Sequence, residues 1–345
     1  MDLPYYFQKA IERKASDLHL VEGSVPALRI NGELTRFKKP PIPFGELRYS
    51  LFSALDKGIR ERFNKKKDID LSMVFFNNRF RVNIHYQKGK VGLAARLVPK
   101  KIPRAHEIGL NETIYNLTHL KDGLVLVTGS SGVGKSTTLA SMLDIINAER
   151  RAHIITIEDP IEYTFEDKQS IVEQRQLGQD THDFASALKY ALRQDPNVIM
   201  VGEMRDLETI TAALTAAKTG HLVLSTLHTT TASETIERIV DYFSNQNQIA
   251  HQLATVLRAV VAQQLLPGKT GGLVAAREIM VNNNAISNLI RNNQIEQIQS
   301  TIQTSAHDGM ITMNKSIDNL FAAGIITEEI ARHSQRDSGT KAAYY

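Results

Sequence analysis

The chain has 345 residues, 42% of them hydrophobic and 23% charged, which suits about two globular domains and is too apolar for a disordered chain. It contains no cysteine, which excludes disulfides, thiol nucleophiles and cysteine-ligated metal centres. The net charge of +4 hides an asymmetry: residues 1–110 carry 22 Lys+Arg against 11 Asp+Glu, and the remainder 19 against 26. A basic part joined to an acidic part suits nucleic acid, anionic lipid, or the acidic face of a neighbouring copy. No apolar run approaches the ~20 residues that span a bilayer. The first fifteen residues are too polar for a signal-peptide core, so the expected address is the cytosol.

Taken in order, the first hundred residues read as a small α+β domain. An amphipathic helix is predicted over 5–14, followed by short alternating segments at 18–21, 27–30 and 79–86. Asn31-Gly32 after the second of these is a hairpin signal. Pro40, Pro41 and Pro43 remove backbone donors and predict a loop over 38–43. The similar stretch 98–103 falls where the charge balance changes sign. The expected boundaries are therefore a domain over 1–100, a linker over 101–112, an α/β domain over 113–333 and an aperiodic, disordered tail over 334–345. In the α/β domain, apolar runs at 124–127, 154–157, 198–201 and 222–224 alternate with helical stretches, as in a parallel sheet covered on both faces. The last hundred residues read as mainly helical, with a turn at 282–284.

The strand ending at Thr128 runs into Gly129, Ser130, Ser131, Gly132, Val133, Gly134, Lys135 and Ser136, and a helical stretch from Thr137 follows. This is the full G-x-x-x-x-G-K-[ST] pattern in the strand–loop–helix setting it requires. Glycines let successive N–H groups face phosphate oxygens at a helix N-terminus, the lysine reaches the β/γ-phosphates, and the serine hydroxyl binds Mg²⁺. The pattern implies binding of a nucleoside triphosphate. Hydrolysis further needs a carboxylate to orient water, a metal shell and a cation for the transition state. Glu203 closes one apolar run, and Glu158, Asp159 and Glu162 close another; ligands in open α/β sheets bind at such ends. Either Glu162 or Glu203 suits the water-orienting role, with Glu158 and Asp159 as candidates for metal-bound water. His221 and His228 bracket a further strand; no second ligand cluster stands near them to make a metal site, so phosphate sensing is the better functional reading for both, with a core histidine open for His228.

These groups, in this order, resemble the type II/IV secretion ATPases: a phosphate loop, an acidic box over 155–162, an atypical second acidic motif over 195–206 and a histidine box over 219–229. Residues 15–20, 29–32, 79–83 and 96–99 look like that family's N-terminal domain. Residues 285–291, 300–304 and Gly309-Met310 are similar to its pilus-retraction branch, as are the short length and the lack of cysteine. Two motifs depart from the family pattern: the loop is Gly-Ser-Ser-Gly-Val-Gly where Gly-Pro-Thr-Gly-Ser-Gly is usual, and Ser287 replaces an arginine. The resemblance implies an α/β fold, a RecA-like P-loop core behind a PAS-like N-terminal domain. It also implies a homohexamer that hydrolyses ATP with Mg²⁺. Arg79, Arg81 and Arg96 would supply cations to a neighbouring copy's γ-phosphate. The expected partner is a platform protein at the inner face of the cell membrane, with pilin reached only indirectly and the membrane met only peripherally.

The alternatives are an accessory or assembly ATPase of the same machinery, a nucleic-acid translocase, and a non-hydrolysing ATP-binding adaptor. Against the translocase, aromatics are only 6% and tryptophan is absent, leaving little to stack on bases. No direct nucleic-acid partner is expected.

Overall fold

The computed structural model describes residues 1–30, 32–98 and 101–335. The predicted hairpin asparagine, Pro99 and Lys100 of the proline-containing stretch, and residues 336–345 of the predicted tail lie outside the described residues. The chain divides into two compact units: Met1–Lys101 with Glu162–Thr164, and Ile102–Ile161 with the chain from Phe165 onward. No described helix is long and apolar enough to cross a membrane.

The first unit contains α1 (Leu3–Glu12), β1 (Asp17–Val21), β2 (Ala27–Ile30), β3 (Glu33–Arg36), α2 (Glu46–Ala54), α3 (Lys57–Lys66), β4 (Asp68–Phe75), β5 (Asn78–Gln87) and β6 (Lys90–Leu97). The Asp2 carboxylate accepts from the Tyr5 amide and caps α1, and Leu3, Tyr6, Phe7 and Ala10 recur at helical spacing to bury one face. The strands form an antiparallel sheet in the order β3-β2-β1-β6-β5-β4. It is covered on one face only. Along β5, Phe80, Val82 and Ile84 are buried while Arg79, Arg81 and Asn83 alternate onto the other side, the period of a half-solvated strand. The edge strand β3 is exposed at all four residues.

The second unit runs α4 (Glu112–Leu117), β7 (Gly123–Thr128), α5 (Lys135–Glu149), β8 (His153–Glu158), β9 (Ile171–Gln176), α6 (Phe184–Ala191), β10 (Val198–Val201), α7 (Leu207–Lys218), β11 (Leu222–Leu227), α8 (Ala232–Asp241), α9 (Gln246–Val256), β12 (Leu257–Pro267), β13 (Leu273–Val281), α10 (Asn284–Arg291), α11 (Ile298–Thr304), α12 (Met313–Ala322) and α13 (Glu328–Ser334). Its sheet has the order β13-β12-β7-β11-β10-β8-β9, parallel except for the edge strand β13. Side chains of β7 alternate between two cores. Leu124 and Leu126 join one, and Val125 and Val127 the other, so helices cover both faces.

Two readings are corrected here. Residues 257–281, within the last hundred that read as mainly helical, form the antiparallel β12–β13 pair, because Ala259–Ala262 is a fully buried run that pairs with β7. The expected turn at 282–284 is a helix start: the Asn283 side chain accepts from the Ile286 amide and caps α10.

Candidate active site

The site begins with the turn after β7. Gly129 has φ +141° and Gly134 +84°. A Cβ on Gly129 would strike the main-chain oxygen of Gln263 and the Val133 side chain, so only glycine fits there. Gly134 then leads into α5, whose first amides face the loop with no side-chain cap in front of them. Lys135 is 9% exposed, and its Nζ donates to the carbonyls of Gly129 (2.7 Å) and Ser130 (2.9 Å). Ser136 and Thr137 follow on the first turn, both partly buried. Ser130, Ser131 and Gly132 form the exposed crest of the loop, and Val133 is partly buried behind it. The result is a ring of backbone donors with one ammonium folded across it.

Strand order decides what else reaches this edge. β11, β10 and β8 lie parallel to β7 in that sequence, so the segments after them open on the same edge as the loop. The ends are stitched together: Gly202 N–H donates to the Ile157 carbonyl (2.8 Å), Met204 N–H to the Thr226 carbonyl (3.1 Å), and the Thr226 hydroxyl to the Gly202 carbonyl (2.6 Å). Glu203, with a side chain 13% exposed, emerges from this stitching. Its carboxylate pairs with the Arg205 guanidinium through one oxygen and with His228 Nε2 through the other, at 3.3 Å. The hydrogen bond to Glu203, with smaller attractions to Glu203 and Asp159 opposing the cost of burial, raises the Arg205 guanidinium above its ordinary range. Glu158 is buried at the end of β8 and accepts from the Thr156 hydroxyl (2.7 Å) and the Gln174 amide (3.1 Å).

The phosphate loop, His228, Glu203 and Glu158 are thus brought to one sheet edge, and exposed Asp159 follows Glu158 directly. Glu162 is exposed and groups with the first unit rather than with this edge. The histidine pair is split. The His221 carbonyl accepts from the Gly123 amide at the start of β7, and His221 Nδ1 lies 3.0 Å from the Ala216 carbonyl. β11 has six residues, about 20 Å at strand rise, so His221 sits at the opposite edge from the loop and its expected phosphate-sensing place is corrected.

The candidate arginines lie on the exposed face of the first unit's sheet. Cross-strand register places Arg81 beside Arg96 and Arg96 beside Asp17, which in turn faces Arg29. Asp17 anchors this row: Arg96 Nε donates to its carboxylate at 2.8 Å, and Arg29 Nε stands at 4.0 Å. Burial pushes the Asp17 carboxyl up, but hydrogen bonds from Arg96 and Ser16 and nearby positive charge outweigh it and hold the group below its ordinary range. Arg81 stands 4.0 Å from Asp70, while Arg79, two residues earlier on the same strand face, is partly buried. Sequence reasoning missed Asp17, Arg29 and Arg205. Arg205 had a readable signal, since it stands two residues after Glu203.

The sequence profile of the family described as "Type II/IV secretion system protein" matches residues 3–271. The chain belongs to that family. Among curated members it is 42% identical over 339 residues to the type IV pilus retraction ATPase PilT of Pseudomonas aeruginosa, covering 97% of this chain and 98% of that protein. It is also 42% identical to the twitching motility protein of Neisseria gonorrhoeae, covering 91% and 85%. Among solved structures, the pilus retraction motor PilT with bound ADP matches at a TM-score of 0.91 and 45% identity, over 98% of each chain. The secretion-family fold is therefore shared across both units. In the retraction-type segment, Ser287 of α10 is 8% exposed and donates to the Ala254 carbonyl of α9 at 3.0 Å.

Proposed function

We propose that this chain is an ATP-hydrolysing motor that drives retraction of type IV pili from the cytoplasmic side of the cell membrane. The observation that carries the reading is the shared sheet edge, where a phosphate loop, a histidine and two carboxylates from four parallel strands meet. The near full-length identity to pilus retraction ATPases supplies the work to which hydrolysis is coupled.

Each group has a definite task in this reading. The amides of 129–137 hold the β- and γ-phosphates, and Lys135 trades two loop carbonyls for phosphate oxygens. Glu203 orients the attacking water after releasing Arg205. It is favoured over Glu162, which is exposed and groups with the other unit. His228, already bonded to Glu203, reports the γ-phosphate.

Mg²⁺ fits the donor set, which is all oxygen: the Ser136 hydroxyl, with Glu158 and Asp159 holding metal-bound water. Among the described residues no three carboxylates or imidazoles gather into an all-protein metal site, which suits an ion bound mainly through nucleotide and water. When bound, the ion neutralises charge on the phosphates. Arg79, Arg81 and Arg96 reach the nucleotide of the next copy in a homohexamer. An arginine supplied in this way raises turnover by about 10³–10⁵. In this reading the motor meets a platform protein at the membrane, with pilin reached only indirectly and the membrane met only peripherally.

Steady-state ATPase activity measured against protein concentration, with light scattering on the same samples, tests the reading. Specific activity is expected to rise as the particle approaches about six chains. Activity from a particle that stays monomeric, independent of concentration, would overturn the shared site.

A further inference from the structure

Behind the phosphate loop lies a polar cluster with no part in the chemistry above. Gln263 on β12 and Arg277 on β13 face each other in register and are 3% and 5% exposed. The Gln263 amide nitrogen donates to the Val133 carbonyl in the last turn of the loop. Its oxygen accepts from the Thr138 hydroxyl of α5 (2.9 Å) and from Arg277 Nε (3.3 Å). This fixes the amide's orientation, because a flipped amide would set a donor against Arg277 and an acceptor against a carbonyl. The Gln263 main chain lies directly behind Gly129, and its side-chain nitrogen would be 3.3 Å from a Cβ on Gly134. One residue therefore supports both ends of the loop.

Arg277 fixes that residue in turn. Its other nitrogens donate to the carbonyls of Ile108 and Gly109, each at 2.9 Å. Among the described residues every partner of this guanidinium is neutral. A buried cation without a counter-charge is costly, and burial accordingly lowers Arg277 to about 10. That cost has a use if negative charge arrives nearby, since an uncompensated cation behind a ring of amides adds to the field that holds phosphate.

We infer that Gln263 and Arg277 are positioning residues for nucleotide: the amide sets the shape of the phosphate loop, and the guanidinium locks the amide and contributes its charge. The inference rests on the nucleotide-binding reading of the loop. Gln263→Glu separates this role from a merely structural one. A carboxylate there pairs with Arg277 and so preserves the fold, yet it cancels the buried charge and repels the Val133 carbonyl.

The test is titration of the full chain with ADP, together with thermal melting and ATPase kinetics. The wild type is expected to bind ADP. Gln263→Glu is expected to keep or raise the melting temperature, weaken ADP at least tenfold and raise KM with kcat largely retained, the pattern of lost uniform binding. Gln263→Met, which removes all three hydrogen bonds without adding charge, is expected to weaken ADP as well and covers the case in which the acidic variant does not fold. Wild-type affinity, within twofold, in either folded variant overturns the inference. A wild type that binds no ADP would instead overturn the nucleotide reading itself.

Discussion

The two sheets place chemistry in opposite ways. In the second unit every residue of β7, β10 and β11 is buried, and the candidate site groups stand at strand ends, held by backbone bonds and by one another. In the first unit the candidate arginines stand along the strands themselves, on an open face, and acidic neighbours hold Arg81 and Arg96. A parallel sheet with both faces covered has no exposed face to use, so only its edge can meet a ligand. An antiparallel sheet covered on one side offers a whole surface. The first arrangement suits a pocket that must exclude water, and the second suits a surface that must meet another molecule.

That contrast can be broken by experiment. The largest effects are expected at the two sets of charged groups. Glu203→Gln and Arg96→Ala should each lower kcat of the assembled particle by roughly 10³-fold while leaving ADP affinity of the chain near wild type. Single-turnover and binding measurements on both variants check this, and loss of ADP binding in Arg96→Ala would place that arginine in its own subunit's site. Stability should divide along the same line. Leu224→Ala, in a fully buried strand, is expected to cost about 2–5 kcal/mol in denaturant unfolding, whereas Val74→Ala, 65% exposed on β4, should stay within about 0.5 kcal/mol. Equal costs would mean that the open face is covered.

The smallest effect belongs to Asp17. Its carboxyl is held low in the folded chain, so its contribution is present above the ordinary carboxylate value of 3.8 and is lost as pH falls through the folded value. Because its partner Arg96 is largely exposed, Asp17→Asn should cost under about 1 kcal/mol near neutrality and flatten the acid limb of the stability curve. Unfolding curves between pH 2 and 7 would show it.

Legibility in the sequence follows the same physics. Val198–Val201 was readable residue for residue because four apolar side chains in a row suit a strand buried on both faces. β4 was not read, since its half-exposed alternation resembles ordinary surface chain, and β6 was not read, since Gly92, Ala94 and Ala95 leave it few large apolar side chains. The strand 257–267 lies in a stretch that reads as mainly helical, because length and hydrophobicity alone do not separate a long buried strand from a helix. At the site, the phosphate loop and Glu203 were legible from pattern and strand end. The separation of His221 from His228 needed strand direction, which no local pattern carries. Gln263 and Arg277 act through pairing between two strands that were not predicted, so nothing local marked them.

One edge of the first unit carries a last consequence. β3 is only four residues long, exposed throughout, and begins and ends on a charge, Glu33 and Arg36. A longer apolar strand there would present unpaired amides and carbonyls to any other copy, and strands added at such an edge need not stop at a closed number. Brevity and charge make open-ended stacking unfavourable. For a chain proposed to gather a fixed number of its own copies, that protects against the one form of self-association that has no end.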